Sequence, residues 1–508
     1  MTFLSGLREQ PLLRRYWPAL AAMFAYLLFA VLKDTSILLT GQRWHGWWDQ
    51  GQYLRSTIAF AHGDLTPDEH WYPLLYPLLA VPFLPLLPDN PFLPLDLICV
   101  ALTAQSVTRV GLHLGISRRV ALPIFLLTSF LHPGLRYAWV EPWTSTLSTA
   151  LTWWLMAKAG DLLVSRQGEI STWTAARFGA IAVLVPLARP ADLVIVVVLG
   201  GCVAVGVARQ GGLRTRLIAA AMAGAAAPII VYGLLHLAIY GPSVTGYMRL
   251  SAEIGVRFAN LGWKASILLL DPGPWFPGSE ALLYRMPWLV LGVAGGIMVL
   301  TARATEGRRW YLASLFAAAT AYLLVLIAYV DLLPTGLWRF NNIHYFKWIF
   351  PLLGLTAWLF VRDGVQRPMA ASLAIAGVLA VACLHVEAVP AARNEPARRL
   401  DFVASPGPDW THVYYARSVV TDGIGLRRNV IDYRQAADGG IVRALALRED
   451  FAPDALWQGG GLPGVTWPPA SATAPPLPGA WPRRPVARWK PRLAWGMPCW
   501  LLPCAEPR

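Results

Sequence analysis

TRLIAAAMAGAAAPIIVYGLLHLAIY, residues 215–240, decides the class of fold. From Leu217 to Tyr240 it carries no Asp, Glu, Lys or Arg. It lacks the polar face that a helix packed on a soluble core keeps toward water. About 20 such residues cross the hydrocarbon of a bilayer as one helix. Outward from it, apolar runs also fill 17–39, 94–115, 119–133, 137–160, 173–189, 191–208, 284–302, 309–331, 344–361 and 368–387. The composition agrees, with 56% hydrophobic and 14% charged residues, against about 25% charged in soluble domains. The expectation is an all-α polytopic membrane protein with about eleven transmembrane helices.

Charge supplies the orientation. Arg8, Arg14 and Arg15 precede the first run, no small-residue cleavage site follows it, and it is expected to stay as an anchor with the N-terminus cytoplasmic. Counting runs then places every short basic connection on that same side: Arg109, Arg118 and Arg119; Lys158 and Arg166; Arg209, Arg214 and Arg216; Arg303, Arg308 and Arg309; Arg362 and Arg367. The formal net charge of +14 is spent in these clusters. No stripe of interleaved basic and aromatic residues accompanies it, so nucleic acid is not the expected partner. The segment Trp71–Pro94 is apolar but holds Pro73, Pro77, Pro82, Pro85, Pro88, Pro91 and Pro94. Interior prolines break helical hydrogen bonding, so it is expected to lie at the interface or to re-enter.

The domain reading follows. Residues 1–387 form the transmembrane domain, with a first outer loop at 34–94 and a second at 241–284. Residues 388–508 form an extracytoplasmic C-terminal domain, small and α/β or irregular, Pro-rich in its last part. Within it THVYYARSVV has strand-like composition. Cys99, Cys202 and Cys383 sit in apolar runs as small hydrophobes, whereas Cys499 and Cys504 could pair in an oxidising compartment. The Arg, Ala and Pro bias suggests a bacterial inner membrane. No internal repeat, Walker-type loop or nucleophile elbow is present, and no zinc-type Cys/His spacing.

The first outer loop carries most of the chemistry: GQRWHGWWDQGQYLRSTIAFAHGDLTPDEHWYPLLYPLLAVPF, residues 41–83. Asp49 and Tyr53 fall four apart, on one face of a helix that Gly63 is placed to end. Trp44, Trp47 and Trp48 read either as an interfacial belt or as a sugar-stacking patch. Asp64, Asp68, Glu69 and His70 read either as a solvated acidic turn or as oxygen-rich metal ligands. Other candidates stand at the outer ends of runs. Glu141, between Val140 and Pro142, is either a charge favoured by a helix N-terminus or a second functional carboxylate. Arg189, Arg339, His344 and Lys347 either snorkel to headgroups or bind an anionic group such as phosphate. Arg249, Arg257 and Lys264 in the second loop are weaker candidates of the same kind.

An acid just after the first span, then D-x-x-x-Y, a short helix, a glycine and an aromatic-proline run resembles the GT-C superfamily of membrane glycosyltransferases, which includes protein mannosyltransferases and the aminoarabinose transferase of lipid A. RYAWVEPWTSTLSTALTWW (136–154) resembles that group's second outer loop. VLVPLARPADLVIVVVL (183–199) resembles its Arg-Pro turn, and NNIHYFKWIFPLLGL (341–355) its late aromatic-basic-Pro span. The resemblance covers about 1–387 and not the tail. It implies a sugar donor on polyprenyl phosphate, an acceptor hydroxyl on a glycan, lipid or protein, and inversion at the anomeric carbon. It also implies Asp49 as general base with Glu141 as second carboxylate. Tyr53, His70, Arg189, Arg339, His344 and Lys347 would bind substrate, and no cofactor or metal would be required. The rival readings are a flippase or transporter of lipid-linked sugar, an O-antigen ligase or polymerase, and a non-catalytic scaffold.

Overall fold

The computed structural model describes residues 11–33, 48–88, 90–164, 171–209, 215–254, 261–271, 281–301, 306–329 and 339–388, isolated positions between them, and four strands after 398. Trp44, Trp47, Cys499 and Cys504 lie outside the described residues, as do the side chains of Trp48 and Arg339. The strands pair antiparallel, Arg399–Val403 with Ile441–Leu445 and Tyr414–Val419 with Asn429–Arg434.

The membrane region is helical. In chain order it consists of α1 (Pro11–Lys33), α2 (Trp48–Ala61), α3 (Leu75–Ala80), α4 (Phe92–His113), α5 (Arg118–Leu126), α6 (Pro133–Val140), α7 (Thr144–Leu163), α8 (Thr172–Ala188), α9 (Leu193–Arg209) and α10 (Thr215–Tyr240). There follow α11 (Gly246–Ile254), α12 (Leu261–Ala265), α13 (Leu282–Arg285), α14 (Leu289–Thr301), α15 (Glu306–Ala328), α16 (Ile349–Gly364) and α17 (Pro368–Ala388). Each apolar run read from the sequence is occupied by one or more of these helices. Among the described residues four are long and apolar enough to cross a membrane: Phe92–His113, Pro190–Arg209, Thr215–Tyr240 and Glu306–Ala328. Shorter apolar helices cover Tyr16–Val31, Thr172–Ala188, Leu289–Leu300 and Pro368–Val381.

Two local features depart from a simple count of runs. The run 137–160 is interrupted, because α6 stops at Val140 and α7 starts at Thr144. Pro142 is the cause: it pushes the preceding residue out of the helical region, and Glu141 is extended at φ −80°, ψ 139°. Among its described residues the proline-rich segment forms α3 and a 3₁₀ turn, Val81–Phe83, before α4.

The core and the outer faces are both apolar. Tyr26, Trp139, Trp153, Tyr311, Tyr322 and Phe350 are fully buried. On α10, Met222, Ile229, Ile230, Val231, Leu234 and Leu237 are exposed on several sides, a surface that hydrocarbon solvates and water does not. Helices meet through small residues. A side chain at Gly179 on α8 would strike the Ala221 carbonyl of α10, and one at Gly224 would strike the Ala176 carbonyl. This reciprocal close approach is the small-residue packing that holds helices together in lipid. On α16, Thr356 donates to the Gly292 carbonyl of α14 at 2.7 Å.

The basic connections gather at one end of the bundle. Asp161 accepts from Arg109 (2.8 Å), His113 (2.9 Å) and Lys158 (2.6 Å). Arg362 donates to the Gly115 carbonyl at 3.0 Å, and Arg308 lies against that same glycine. Arg209 stacks over Trp310, 4.4 Å from the ring centre. Since α4, α7, α9 and α16 all finish at this end, their starts form the opposite end, where the candidate site lies.

Candidate active site

The first turn of α7, Thr144 to Ser148, is the hub of that opposite end. Its hydroxyls meet three separate parts of the chain. Thr144 lies beside the Tyr53 hydroxyl from α2. Ser145 bonds His344 Nδ1 at 2.9 Å, Thr146 accepts from Lys347 Nζ at 2.6 Å, and Ser148 donates to Asp192. Hydroxyl residues favour a helix start, where backbone N–H groups lack partners. Here they also reach outward to the site.

Asp49 stands in the first turn of α2 and accepts from the Tyr72 hydroxyl. Gly63, at φ 70°, lets the chain turn back after α2, which returns Tyr72 to Asp49. Tyr72 packs edge-on against Tyr53 at 5.0 Å, and against Tyr247 of α11 at 5.0 Å. From Tyr53 the contacts run through Thr144 to its neighbour Trp143, whose ring stacks on His344 at 4.0 Å. His344 lies 3.9 Å from Tyr345, and the Arg189 guanidinium sits 4.2 Å above the Tyr345 ring. Asp49 and Arg189 thus occupy the two ends of one wall of tyrosines, with Tyr247 within electrostatic reach of both Tyr53 and Arg189.

Arg189 is positioned by the Arg-Pro turn. α8 ends at Ala188, Arg189 is extended, and Pro190–Asp192 makes one 3₁₀ turn before α9. The guanidinium donates to Tyr322 at 2.8 Å and lies 3.5 Å from Asp192. Tyr322 in turn donates to the Tyr345 carbonyl at 2.7 Å.

The remaining sequence-derived candidates fall elsewhere. Lys347 is enclosed one layer beneath, donating to Thr146 and to the Ala138 carbonyl at 3.2 Å, 4.9 Å above Trp139. Glu141 is buried at the α6–α7 break and accepts from Tyr137 at 3.0 Å. His70 is fully buried, with Nε2 on the Asp64 carbonyl (2.8 Å) and Nδ1 on Ser56 (2.7 Å). The carbonyl can only accept, so Nε2 carries the proton and both ring nitrogens are used within the protein. Only the backbone of Arg339 is described, in a 3₁₀ turn Arg339–Phe346.

Electrostatics on the first loop separates two groups of residues. Desolvation, followed by the Asp49 carboxylate, pushes the Tyr53 and Tyr72 phenols well above their ordinary range, so both stay protonated donors. On the exposed side Arg55 hydrogen-bonds Glu69 and holds its carboxyl below the usual range, while Thr66 does the same for Asp64. Arg55, Asp64 and Glu69 line a surface groove of about 580 Å³ with Gly51, Leu54, Ile58 and His62. Among the described residues no three His, Cys, Asp or Glu side chains gather as metal ligands.

Several residues of this end escaped the sequence reading. Asp96 of α4 is fully buried and accepts from Tyr76 at 3.0 Å and, more weakly, from Tyr26 at 3.5 Å. A lone acid in an apolar run was the available signal. Asp192, Tyr247 and Tyr345 carried none. Comparison of the chain with protein-family models, curated proteins and solved structures finds no match in any of the three.

Proposed function

We propose that this protein is an inverting membrane glycosyltransferase that moves a sugar from a polyprenyl-phosphate donor to an acceptor hydroxyl on the extracytoplasmic side. One observation carries the reading: Asp49 and Arg189, a carboxylate and a guanidinium, stand at the two ends of one tyrosine-lined wall, at the end of the bundle away from the basic connections. With positive charge cytoplasmic, that end is the outer one. The topology that goes with it has about eleven spans in a bacterial inner membrane, a cytoplasmic N-terminus and residues 388–508 outside.

In the reaction the acceptor oxygen attacks the anomeric carbon as the carbon–oxygen bond to the lipid phosphate breaks. The electron pair leaves with the phosphate and the acceptor proton passes to Asp49. Arg189 is suited to the departing phosphate, since a guanidinium donates to two oxygens at once. The tyrosine hydroxyls and His344 supply hydrogen bonds to a sugar. No cofactor enters this scheme.

The test is transfer in proteoliposomes from polyprenyl phosphates bearing mannose, glucose or arabinose, comparing wild type with Asp49→Asn. A fall of at least about 100-fold in a folded variant that still binds donor is expected for loss of a general base. Unchanged transfer would remove Asp49 from the chemistry. A flippase of lipid-linked sugar is the second reading, favoured by Asp96 and Lys347, ionisable groups buried inside the bundle. Translocation without transfer by wild type would select it.

A further inference from the structure

The segment from His70 to Pro77 is fastened at five residues, and only one of its contacts is to Asp49. The His70 ring is held by Ser56 and the Asp64 carbonyl, and its own carbonyl accepts from Tyr240 at the end of α10. Trp71 is pressed against Gly246, the first residue of α11, where any side chain would collide with the indole. The Pro77 carbonyl accepts from Thr57 of α2 at 3.2 Å, and Tyr76 donates to Asp96 of α4. Between these anchors Tyr72 is clamped on one side by Tyr53 and on the other by Tyr247, and its hydroxyl donates to Asp49 Oδ1.

Such fastening is more than a lone tyrosine needs for packing. A carboxylate on the first turn of a helix can rotate about its own side-chain bonds. A hydroxyl delivered from a separately anchored segment removes that freedom. We propose that Tyr72 is the positioning residue of Asp49: its hydroxyl sets the plane of the carboxylate and favours the anion, and the second outer loop holds Tyr72 in place through Tyr247. This rests on the reading of Asp49 as base. It adds a role for α11, which enters the scheme by clamping Tyr72. Near Asp49 stand Tyr53 from its own helix and Tyr72 from the strap, with Tyr247 of α11 packed against Tyr72 and Arg189 beyond the wall. Tyr53 and Tyr72 stay protonated donors and Arg189 is a cation. A base held in one orientation by a donor that stays protonated gains in alignment what it gives up in proton affinity.

The test uses Tyr72→Phe, which keeps the ring between Tyr53 and Tyr247 and deletes only the donor. Infrared titration of full-length protein in lipid identifies the Asp49 carboxylic acid band as the one missing in Asp49→Asn. In Tyr72→Phe its midpoint is expected to rise by about one pH unit, because the anion loses a hydrogen bond. The acid limb of the transfer rate, measured with the same polyprenyl-phosphate sugars, should move up with it. At neutral pH kcat should fall about tenfold with KM for the donor unchanged, as for lost orientation. Tyr247→Ala should give a smaller shift in the same direction. An unmoved midpoint in Tyr72→Phe overturns the proposal, whatever happens to the rate. If wild type transfers no sugar the glycosyltransferase reading fails, and the infrared midpoint still decides whether Tyr72 holds Asp49.

Discussion

Replacing Lys347 by Met should destabilise the protein before it affects anything else. The ammonium is fully buried, donates to Thr146 Oγ1 at 2.6 Å and to the Ala138 carbonyl at 3.2 Å, and lies over Trp139. Asp96, also fully buried, is within its electrostatic reach. Charged hydrogen bonds are worth about 1.5–3 kcal/mol each, but desolvating the ammonium opposes them by several kcal/mol, so the bonds alone predict little net loss. The larger effect is what the variant leaves behind. Met fills the space of the stem, so no cavity opens, yet the Thr146 hydroxyl and the Ala138 carbonyl lose their buried donor. Leaving a buried polar group unsatisfied costs about 1–3 kcal/mol. Adding Asp96→Asn to Lys347→Met should return part of that loss, since the carboxyl lies within electrostatic reach of the ammonium. The assay is reversible unfolding of all four forms of the cycle in lipid–detergent mixtures, with donor binding measured in parallel. A Lys347→Met protein with the wild-type unfolding midpoint but no donor binding would refute this reasoning and make the ammonium a ligand group.

Two further predictions concern packing and pH. Gly224→Ala gains up to about 1 kcal/mol of helix propensity, but its methyl would strike the Ala176 carbonyl; overpacking of about 1–3 kcal/mol should win, and a raised thermal midpoint would contradict the α8–α10 contact. Glu69 has its carboxyl lowered by Arg55, so its contribution is complete above the ordinary carboxylate range and lost as pH falls through the lowered value. Wild type should exceed Glu69→Gln in stability by less than about 1 kcal/mol at pH 7, and the gap should close as pH falls below the ordinary carboxylate range; a gap that widens in acid would reverse the sign.

Reading the sequence located the helices because hydrocarbon imposes a simple rule, a long stretch with no charge, and α10 obeys it from Leu217 to Tyr240. It was less direct at Glu141–Pro142, where hydropathy averaged over a window runs through a break that the proline alone enforces. The candidate site was legible in two ways: Asp49 and Tyr53 share a helix face in the first loop, and Arg189 and His344 were visible as polar positions at the ends of apolar runs. What could not be read was which way each cation faces. Lys347 and Arg189 look alike in sequence and both are buried, but Lys347 donates to the Thr146 hydroxyl beneath α7 whereas Arg189 pairs with Asp192 and stacks over Tyr345. Tyr72 and Asp96 depend on the crossing of α2, α3 and α4, and crossings are set by packing rather than by any one run.

The polar groups of this end fall into two populations, and their difference bears on mechanism. Asp96, Lys347, Asp192 and His70 are at or near zero exposure, and most of their hydrogen bonds run between helices. A carrier that moved its substrate through the bundle would have to break such bonds in each cycle and leave charges exposed to hydrocarbon, at a cost of several kcal/mol per group. Asp49 is different: it is only partly buried, and its partner Tyr72 comes from a strap outside the long helices. A proton can reach or leave such a carboxylate while the buried network stays intact. Chemistry at the end that holds Asp49 therefore asks less of this fold than passage through it, and this separation of a fixed interior from a more accessible acid is the physical ground on which the proposed transferase is preferred to a carrier.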